Sequence, residues 1–130
     1  NGKNFLNTMI RLKDKDTLSI VTDQIGVPSY AFDVASATWN ILTHSRMQEY
    51  AGIYHIANEG VTTWFDFAKE IFGYLDQKPE LKAVLTADFK TVAARPLYSK
   101  LSTDKLFKDF GVRLPFWKDS LKVCMKNKLQ

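Results

Sequence analysis

Thr63-Trp64-Phe65-Asp66-Phe67-Ala68-Lys69-Glu70-Ile71-Phe72-Gly73-Tyr74-Leu75 is the most strongly patterned stretch of the chain. Trp64, Phe67, Ala68, Ile71, Phe72 and Leu75 recur at the spacing that lines up on one face of an α-helix. Thr63 stands where a cap belongs and Asp66 follows three residues later, a weak capping box. Pro79 lies beyond the expected end. A helix with one wide apolar face has to bury it, so its neighbours decide the fold class. Upstream, Gly52 opens a predicted strand, Ile53-Tyr54-His55-Ile56-Ala57, closed by Asn58-Glu59-Gly60. Downstream, Ala83-Val84-Leu85 reads as a further short strand.

Further out the alternation continues. Leu18, Ile20 and Val21, with Thr17, Ser19 and Thr22, read as a strand that runs into a Gly/Pro-punctuated turn, Asp23-Gln24-Ile25-Gly26-Val27-Pro28-Ser29. Before it, Phe5, Leu6, Met9, Ile10 and Leu12 keep helical spacing, with Asn4 as the cap. Asp33 is expected to cap a helix with the stripe Val34, Thr38, Ile41 and Leu42. Thr91 to Leu101 reads as irregular. Ser102 or Thr103 then caps a short helix through Phe110, with Gly111 as its left-handed stop. Pro115 is placed as the first residue of a last helix carrying Trp117, Leu121, Cys124 and Met125. The expectation is an α/β chain, α+β-like in outline, with about five helices and two or three short strands. Such short strand pairs are marginal alone, so a sheet completed by residues outside this chain is expected.

Composition narrows the function classes. At 130 residues with 45% hydrophobic content, the chain supports one core; roughly two-thirds of its surface would be buried. No apolar run reaches the ~18 residues of a membrane span. A single cysteine, Cys124, excludes an internal disulfide framework and fits a reducing compartment. The net charge of +4 comes with Arg113, Lys118, Lys122, Lys126 and Lys128 near the end, spaced as a solvated helix face. There is no zinc-knuckle spacing, RNP-type strand or helix-turn-helix signal, so nucleic acid is not an expected partner. The chain opens at Asn1-Gly2 without an initiator Met, and is expected to be a piece of something longer.

Catalytic machinery is not in evidence. No Gly-x-Ser-x-Gly elbow, Gly-x-Gly-x-x-Gly or P-loop spacing occurs. One Cys and two separated histidines, His44 and His55, do not make a metal site. His44 falls at a helix end and His55 on the predicted strand, both in keeping with structural roles; Cys124 reads as core filling. Three loop features stand out. Asn4-Phe5 places an amide beside a ring, as a nucleobase site or as a plain helix start. Gly26 and Pro28 hold a turn that either presents Gln24 to a ligand or serves only the fold. Arg95, before Pro96, is biased toward extended backbone, from which a guanidinium can grip a phosphate in bidentate fashion or form a surface ion pair.

These segments also occur in a familiar order. Asn4-Phe5-x-x-Thr8-Met9-Ile10-Arg11-Leu12 precedes Leu18-Ser19-Ile20-Val21-x-Asp23-Gln24-x-Gly26-x-Pro28. Gly52-Ile53-Tyr54-His55-Ile56, Thr63-Trp64-Phe65-x-Phe67-Ala68, Ala94-Arg95-Pro96-x-x-Ser99-x-Leu101-Ser102-Thr103-x-Lys105 and Leu114-Pro115-x-Trp117 follow. The series resembles the C-terminal part of the dTDP-4-dehydrorhamnose reductases, a family of extended short-chain dehydrogenase/reductases, over nearly all 130 residues.

The resemblance implies that residues 1–130 are the C-terminal substrate-binding part of a two-part enzyme that converts dTDP-4-dehydro-L-rhamnose to dTDP-L-rhamnose for polysaccharide biosynthesis. The other part is an N-terminal Rossmann domain that binds NADPH (or NADH) and supplies a Tyr-x-x-x-Lys pair. None of Tyr30, Tyr50, Tyr54, Tyr74 and Tyr98 has a Lys four residues on. No catalytic, cofactor or metal residue is therefore assigned here, and the chain alone is expected to be inactive. By resemblance Asn4 and Phe5 lie near the thymidine, Arg95 near the diphosphate, and Gln24 near phosphate or sugar. The family often has two arginines before the proline, whereas Ala94-Arg95 leaves one guanidinium; Ser29 replaces a usual Thr. The implied setting is cytoplasmic. The implied partners are a dTDP-4-keto-sugar, the chain's own Rossmann domain and a homodimer mate. A regulatory subunit similar to the methionine adenosyltransferase β subunit, or another dTDP-4-ketosugar reductase, is the alternative. Of the aromatics, Trp64, Phe67, Phe72 and Trp117 are expected to pack internally. Phe5, Tyr30 and Phe32 are expected to face the missing half or its ligand, or to be exposed or paired with another copy of the chain.

Overall fold

The structure is a computed structural model and describes residues 2–45, 47–89 and 93–129. Asn1, and Thr91 at the start of the segment read as irregular, lie outside the described residues. In chain order the elements are α1 (Phe5–Arg11), β1 (Thr17–Val21), β2 (Ile25–Gly26), α2 (Ala31–Leu42) and a 3-10 turn at Met47–Glu49. β3 (Thr62–Thr63), α3 (Trp64–Phe72), β4 (Glu80–Val84), a second 3-10 turn at Thr86–Asp88, α4 (Asp104–Phe110) and α5 (Trp117–Leu129) follow. Among the described residues, five helices with a few short strands make the mixed α/β class that the patterning predicts. They form two compact units: Asn1–Gly26 with Thr62–Ser99, and Val27–Val61 with Lys100–Gln130.

In the first unit, β1 and β4 pair in parallel from Thr17↔Glu80 to Val21↔Val84. β2 and β3 pair antiparallel through Ile25↔Thr63 and Gly26↔Thr62. The strand expected at Ala83–Leu85 begins earlier, at Glu80, because pairing with β1 sets its extent. The helix α3 supplies the core: Phe67, Ala68, Ile71 and Phe72 are buried with Met9 of α1 and Ile20 and Val21 of β1. Each large side chain so buried contributes about 1.5–3 kcal/mol. Thr63 caps α3 reciprocally, its Oγ1 accepting from the Asp66 amide at 3.0 Å and donating to Asp66 Oδ2 at 2.8 Å. Two expectations for this helix need correction. It ends at Phe72 with Gly73 as C-cap, leaving Leu75 outside it, and Trp64 is 40% exposed. Trp64 sits in the first turn, beyond the reach of the core that the later turns cover.

In the second unit, α2, α4 and α5 enclose Ala37, Ala57, Leu106, Phe110, Leu114, Trp117, Leu121 and Met125. His44, Tyr50 and Tyr54 meet the Phe110 ring edge-on, with centroids 5.2–5.5 Å away. Buried Asn58 lies at the centre of the polar contacts. Its Oδ1 accepts from the Tyr30 amide at 3.0 Å. Its Nδ2 reaches Asp33 Oδ2 and Ser120 Oγ, both at 2.8 Å, and the Pro115 carbonyl at 3.0 Å. Ser120 Oγ donates to Asp33 Oδ2 at 2.5 Å.

This knot explains several departures from the sequence reading. Asp33 does not cap α2: Tyr30 is the N-cap, without a side-chain bond, and the Asp33 carboxylate serves Asn58 and Ser120. On α2 Ala37 is buried with Val34 and Ile41 half-buried beside it, while Thr38 and Leu42 are exposed. α5 starts at Trp117 rather than Pro115, because backbone on either side is engaged: the Glu59 amide donates to the Pro115 carbonyl and the Trp117 amide to the Glu59 carbonyl. α4 starts as expected: Thr103 is its N-cap, without a side-chain bond, while Ser102 Oγ accepts from the Asp104 amide at 3.3 Å and donates to Asp104 Oδ2 at 2.8 Å. Gly111, at φ +67°, is the left-handed stop.

The largest departure is the strand expected at Gly52–Ala57. It is not a paired strand: among the described residues no other strand lies against it, and the chain runs on to an isolated bridge at Glu59↔Phe116. Ile53 is 84% exposed. The basic residues Arg113, Lys118, Lys122 and Lys126 are exposed, as expected for a solvated face. Among the described residues no helix is long and apolar enough to cross a membrane.

Candidate functional site

All four residues singled out from the sequence, Asn4, Phe5, Gln24 and Arg95, belong to the first unit. Asn4 is exposed and caps α1, its Oδ1 accepting from the Asn7 amide at 2.8 Å. The Phe5 ring next to it packs on α3, 4.7 Å from Trp64 and stacked 5.5 Å from Phe67. Because Trp64 is only partly covered, Phe5 and Trp64 make an aromatic surface beside the Asn4 amide.

The turn after β1 is more heavily bonded than its sequence implies. The last rung of the parallel pair is the Thr22 amide to the Val84 carbonyl, 3.0 Å. Beyond it side chains take over. Asp23 accepts from the Thr86 amide through both carboxylate oxygens, at 3.0 and 3.1 Å, and from Thr86 Oγ1 at 2.6 Å. That hydroxyl bond, opposed by desolvation and supplemented by backbone bonds, holds the Asp23 carboxyl below its ordinary value. Gln24 is only 7% exposed, and its Nε2 donates to the same Thr86 Oγ1 at 3.0 Å. One of the two protons of the Gln24 amide nitrogen is thus engaged inside the fold.

The next residue, Ile25, joins the two most specific motifs of the sequence. Its amide donates to the Leu97 carbonyl at 2.7 Å and its carbonyl accepts from the Ser99 amide at 2.9 Å, a parallel bridge to Tyr98. On its other side Ile25 pairs with Thr63, next to Trp64. Gly26 lies tight against this bridge: a Cβ there would lie 2.8 Å from Ser99 Oγ, the end of a side chain that can turn away. Asp23-Gln24-x-Gly26 and Arg95-Pro96-x-x-Ser99 are therefore one structural feature. Arg95 itself is exposed, two residues before the Leu97 anchor. Ile25 is the shared link that brings the Arg95 loop, the Gln24 turn and the start of α3 alongside one another.

Sequence reading missed Thr86, Asn58, Ser120 and the Tyr54 cluster. Tyr54 OH donates toward Asp109 Oδ2 at 2.8 Å and the Tyr50 carbonyl at 3.0 Å, and Lys105 Nζ stands 4.2 Å from its ring centroid. Desolvation and the Asp109 hydrogen bond raise the Tyr54 hydroxyl to about 12, which suits a structural donor and not a proton relay. His55 Nδ1 is 3.3 Å from the Ser102 carbonyl. Cys124 is half-buried, and burial raises its thiol. Among the described residues no group of three or more His, Cys, Asp or Glu is placed to hold a metal. A dinucleotide cofactor does not fit these elements either. β1 leads through Thr22-Asp23-Gln24 into another strand, and β4 into a 3-10 turn, so neither opens a helix through a Gly-rich turn.

The α/β fold is shared with solved dTDP-4-dehydrorhamnose reductases. A crystal structure of a dTDP-4-dehydrorhamnose reductase from Clostridium acetobutylicum matches with a TM-score of 0.90 at 32% identity, covering 100% of this chain and 45% of that one. One from Bacillus anthracis, solved in complex with NADP, matches with a TM-score of 0.83 at 38% identity over 95% of this chain and 43% of that one. The dTDP-4-dehydrorhamnose reductase of Aggregatibacter actinomycetemcomitans is 39% identical over 130 residues, 93% of this chain and 44% of that protein. Residues 1–130 match the RmlD substrate binding domain, and the chain belongs to that family. It spans under half the length of the relatives it matches.

Proposed function

We propose that this chain is the nucleotide-sugar-binding part of an NADPH-dependent dTDP-4-dehydrorhamnose reductase. It works in the cytoplasm, with a Rossmann-type part that binds the cofactor and carries the proton donor. The observation that carries this reading is the pairing through Ile25 of the Gln24 turn with the Arg95 loop, beside the Phe5–Trp64 aromatic surface. That arrangement offers a nucleotide diphosphate what it needs: a ring surface with an amide for the base, and a guanidinium for the phosphates. Asn4 and Phe5 take the thymidine side, Arg95 the diphosphate, and Gln24 holds the turn between them. The Ile53–Ala57 segment supports the second part of the reading: it is patterned as a strand but forms none among the described residues, and a strand-patterned segment is completed by pairing.

The test uses the full-length reductase and dTDP in titration calorimetry. Arg95→Ala is expected to weaken binding by about 1.5–3 kcal/mol, the range for a hydrogen bond to a charged group. Unchanged affinity would remove Arg95 from the site.

A further inference from the structure

The polar side chain with the most consequential placement in the first unit is one that its sequence gives no reason to notice. Thr86 opens the 3-10 turn after β4, whose N-cap, Leu85, provides no side-chain bond. Asp23 fills that role from the other strand, accepting from the Thr86 amide and hydroxyl. A hydroxyl has one proton to give and lone pairs to accept with. Thr86 uses both functions, donating to Asp23 Oδ1 at 2.6 Å while accepting from Gln24 Nε2 at 3.0 Å. No aliphatic side chain of the same shape can do this.

The consequence reaches Arg95 through the turn. By way of Asp23 and Gln24, Thr86 fixes the residues just before Ile25, whose amide and carbonyl hold Leu97 and Ser99 on the far side of Arg95.

We propose that Thr86 is a positioning residue for the nucleotide-sugar site: its hydroxyl locks the Asp23–Gln24 turn and thereby sets the loop that presents Arg95. The inference rests on the reading of Arg95 as the diphosphate contact. It assigns Thr86 no contact with the ligand.

The experiment uses the full-length reductase and compares wild type, Thr86→Val, Thr86→Ser, Arg95→Ala and the Thr86→Val/Arg95→Ala double variant. Thr86→Val should raise the dTDP dissociation constant and the KM for the sugar nucleotide about tenfold, with kcat within about twofold, since a hydrogen bond to a charged group is lost. Thr86→Ser should bind nearly as wild type. If Thr86 acts through Arg95, the double variant binds dTDP no more weakly than Arg95→Ala alone; independent sites would add. Unchanged affinity in Thr86→Val, a serine variant as weak as the valine one, or full additivity would each overturn the proposal. Should Thr86→Val not fold, Asp23→Asn replaces it, with about a threefold loss expected and no loss overturning. Failure of the underlying reading looks different: Arg95→Ala itself would then leave dTDP affinity unchanged.

Discussion

The two units solve the same problem, tying distant segments together, with different materials. In the unit of Asn1–Gly26 and Thr62–Ser99, backbone does most of the tying: a parallel pair, an antiparallel pair and the Ile25 bridge. Side chains extend the ladder only past its last rung, where Asp23 and Thr86 meet. In the unit of Val27–Val61 and Lys100–Gln130 the segment patterned as a strand finds no strand among the described residues to pair with. There one buried amide, Asn58, joins the start of α2, the Pro115 turn and α5. A ladder distributes its load over many bonds, whereas a hub concentrates it. The second unit should therefore be the more sensitive to single substitutions at its centre.

Gly60 gives the sharpest form of that contrast. At φ +91° it sits where side chains are disfavoured, and a Cβ would come within 2.2 Å of the Phe116 ring. Strain and overpacking each cost about 1–3 kcal/mol, so Gly60→Val is expected to destabilise by about 3–5 kcal/mol in urea unfolding. Its counterpart in the first unit, Gly26, has no positive φ and would meet only the end of the Ser99 side chain. Gly26→Ala should cost under about 1 kcal/mol, since a serine hydroxyl can rotate away. Equal losses at the two glycines would erase the distinction.

Asn58→Leu tests the hub directly. Its shape is retained, but the Tyr30 amide, the Asp33 carboxylate and the Pro115 carbonyl each lose a partner. At about 1–3 kcal/mol for a buried group left unsatisfied, partly offset by burial of apolar atoms, a net loss of about 2–4 kcal/mol is expected. Amide exchange should quicken in α2 and α5 more than in β1 and β4. A loss spread evenly over both units would mean that the amide is not a local hub.

The sequence reveals the two units unequally, for the same physical reason. Helices and ladders follow from periodicity, so α1, β1 and α3 are legible from Met9, Ile20 and the Phe67–Phe72 face. The candidate site is legible at Gly26 and Arg95, because glycine marks a turn and a residue before proline is restricted to extended backbone. It is not legible at Thr86, which is an ordinary polar residue until a parallel register places it opposite Asp23. Asn58 is hidden in another way: after Ile56 and Ala57 it reads as the polar end of a strand, while its side chain bonds to Tyr30, Asp33, Pro115 and Ser120. Asp33 patterns as a cap for the same reason, since local pattern does not contain the long-range hydrogen bonds to Asn58 and Ser120.

The smallest expected effect concerns pH, and it isolates the side-chain part of the first unit. Thr86 holds the Asp23 carboxyl below its ordinary value of 3.8 in the folded state. A depressed carboxyl contributes stability that is fully present above its unfolded value and is lost as pH falls through that value toward the folded one. Asp23 lies close to solvent, so screening keeps the contribution small. Asp23→Asn should therefore lower stability slightly at neutral pH and flatten the acid limb between about pH 5 and pH 3. Urea unfolding at stepped pH, with amide exchange read separately in β4 and α5, measures both. Flattening confined to β4 and its neighbours would tie the charge to the ladder's end. An unchanged acid limb would mean that the bonds from Thr86 to Asp23 stabilise the protonated and ionised carboxyl alike, and that the first unit, too, is held at this point by geometry alone.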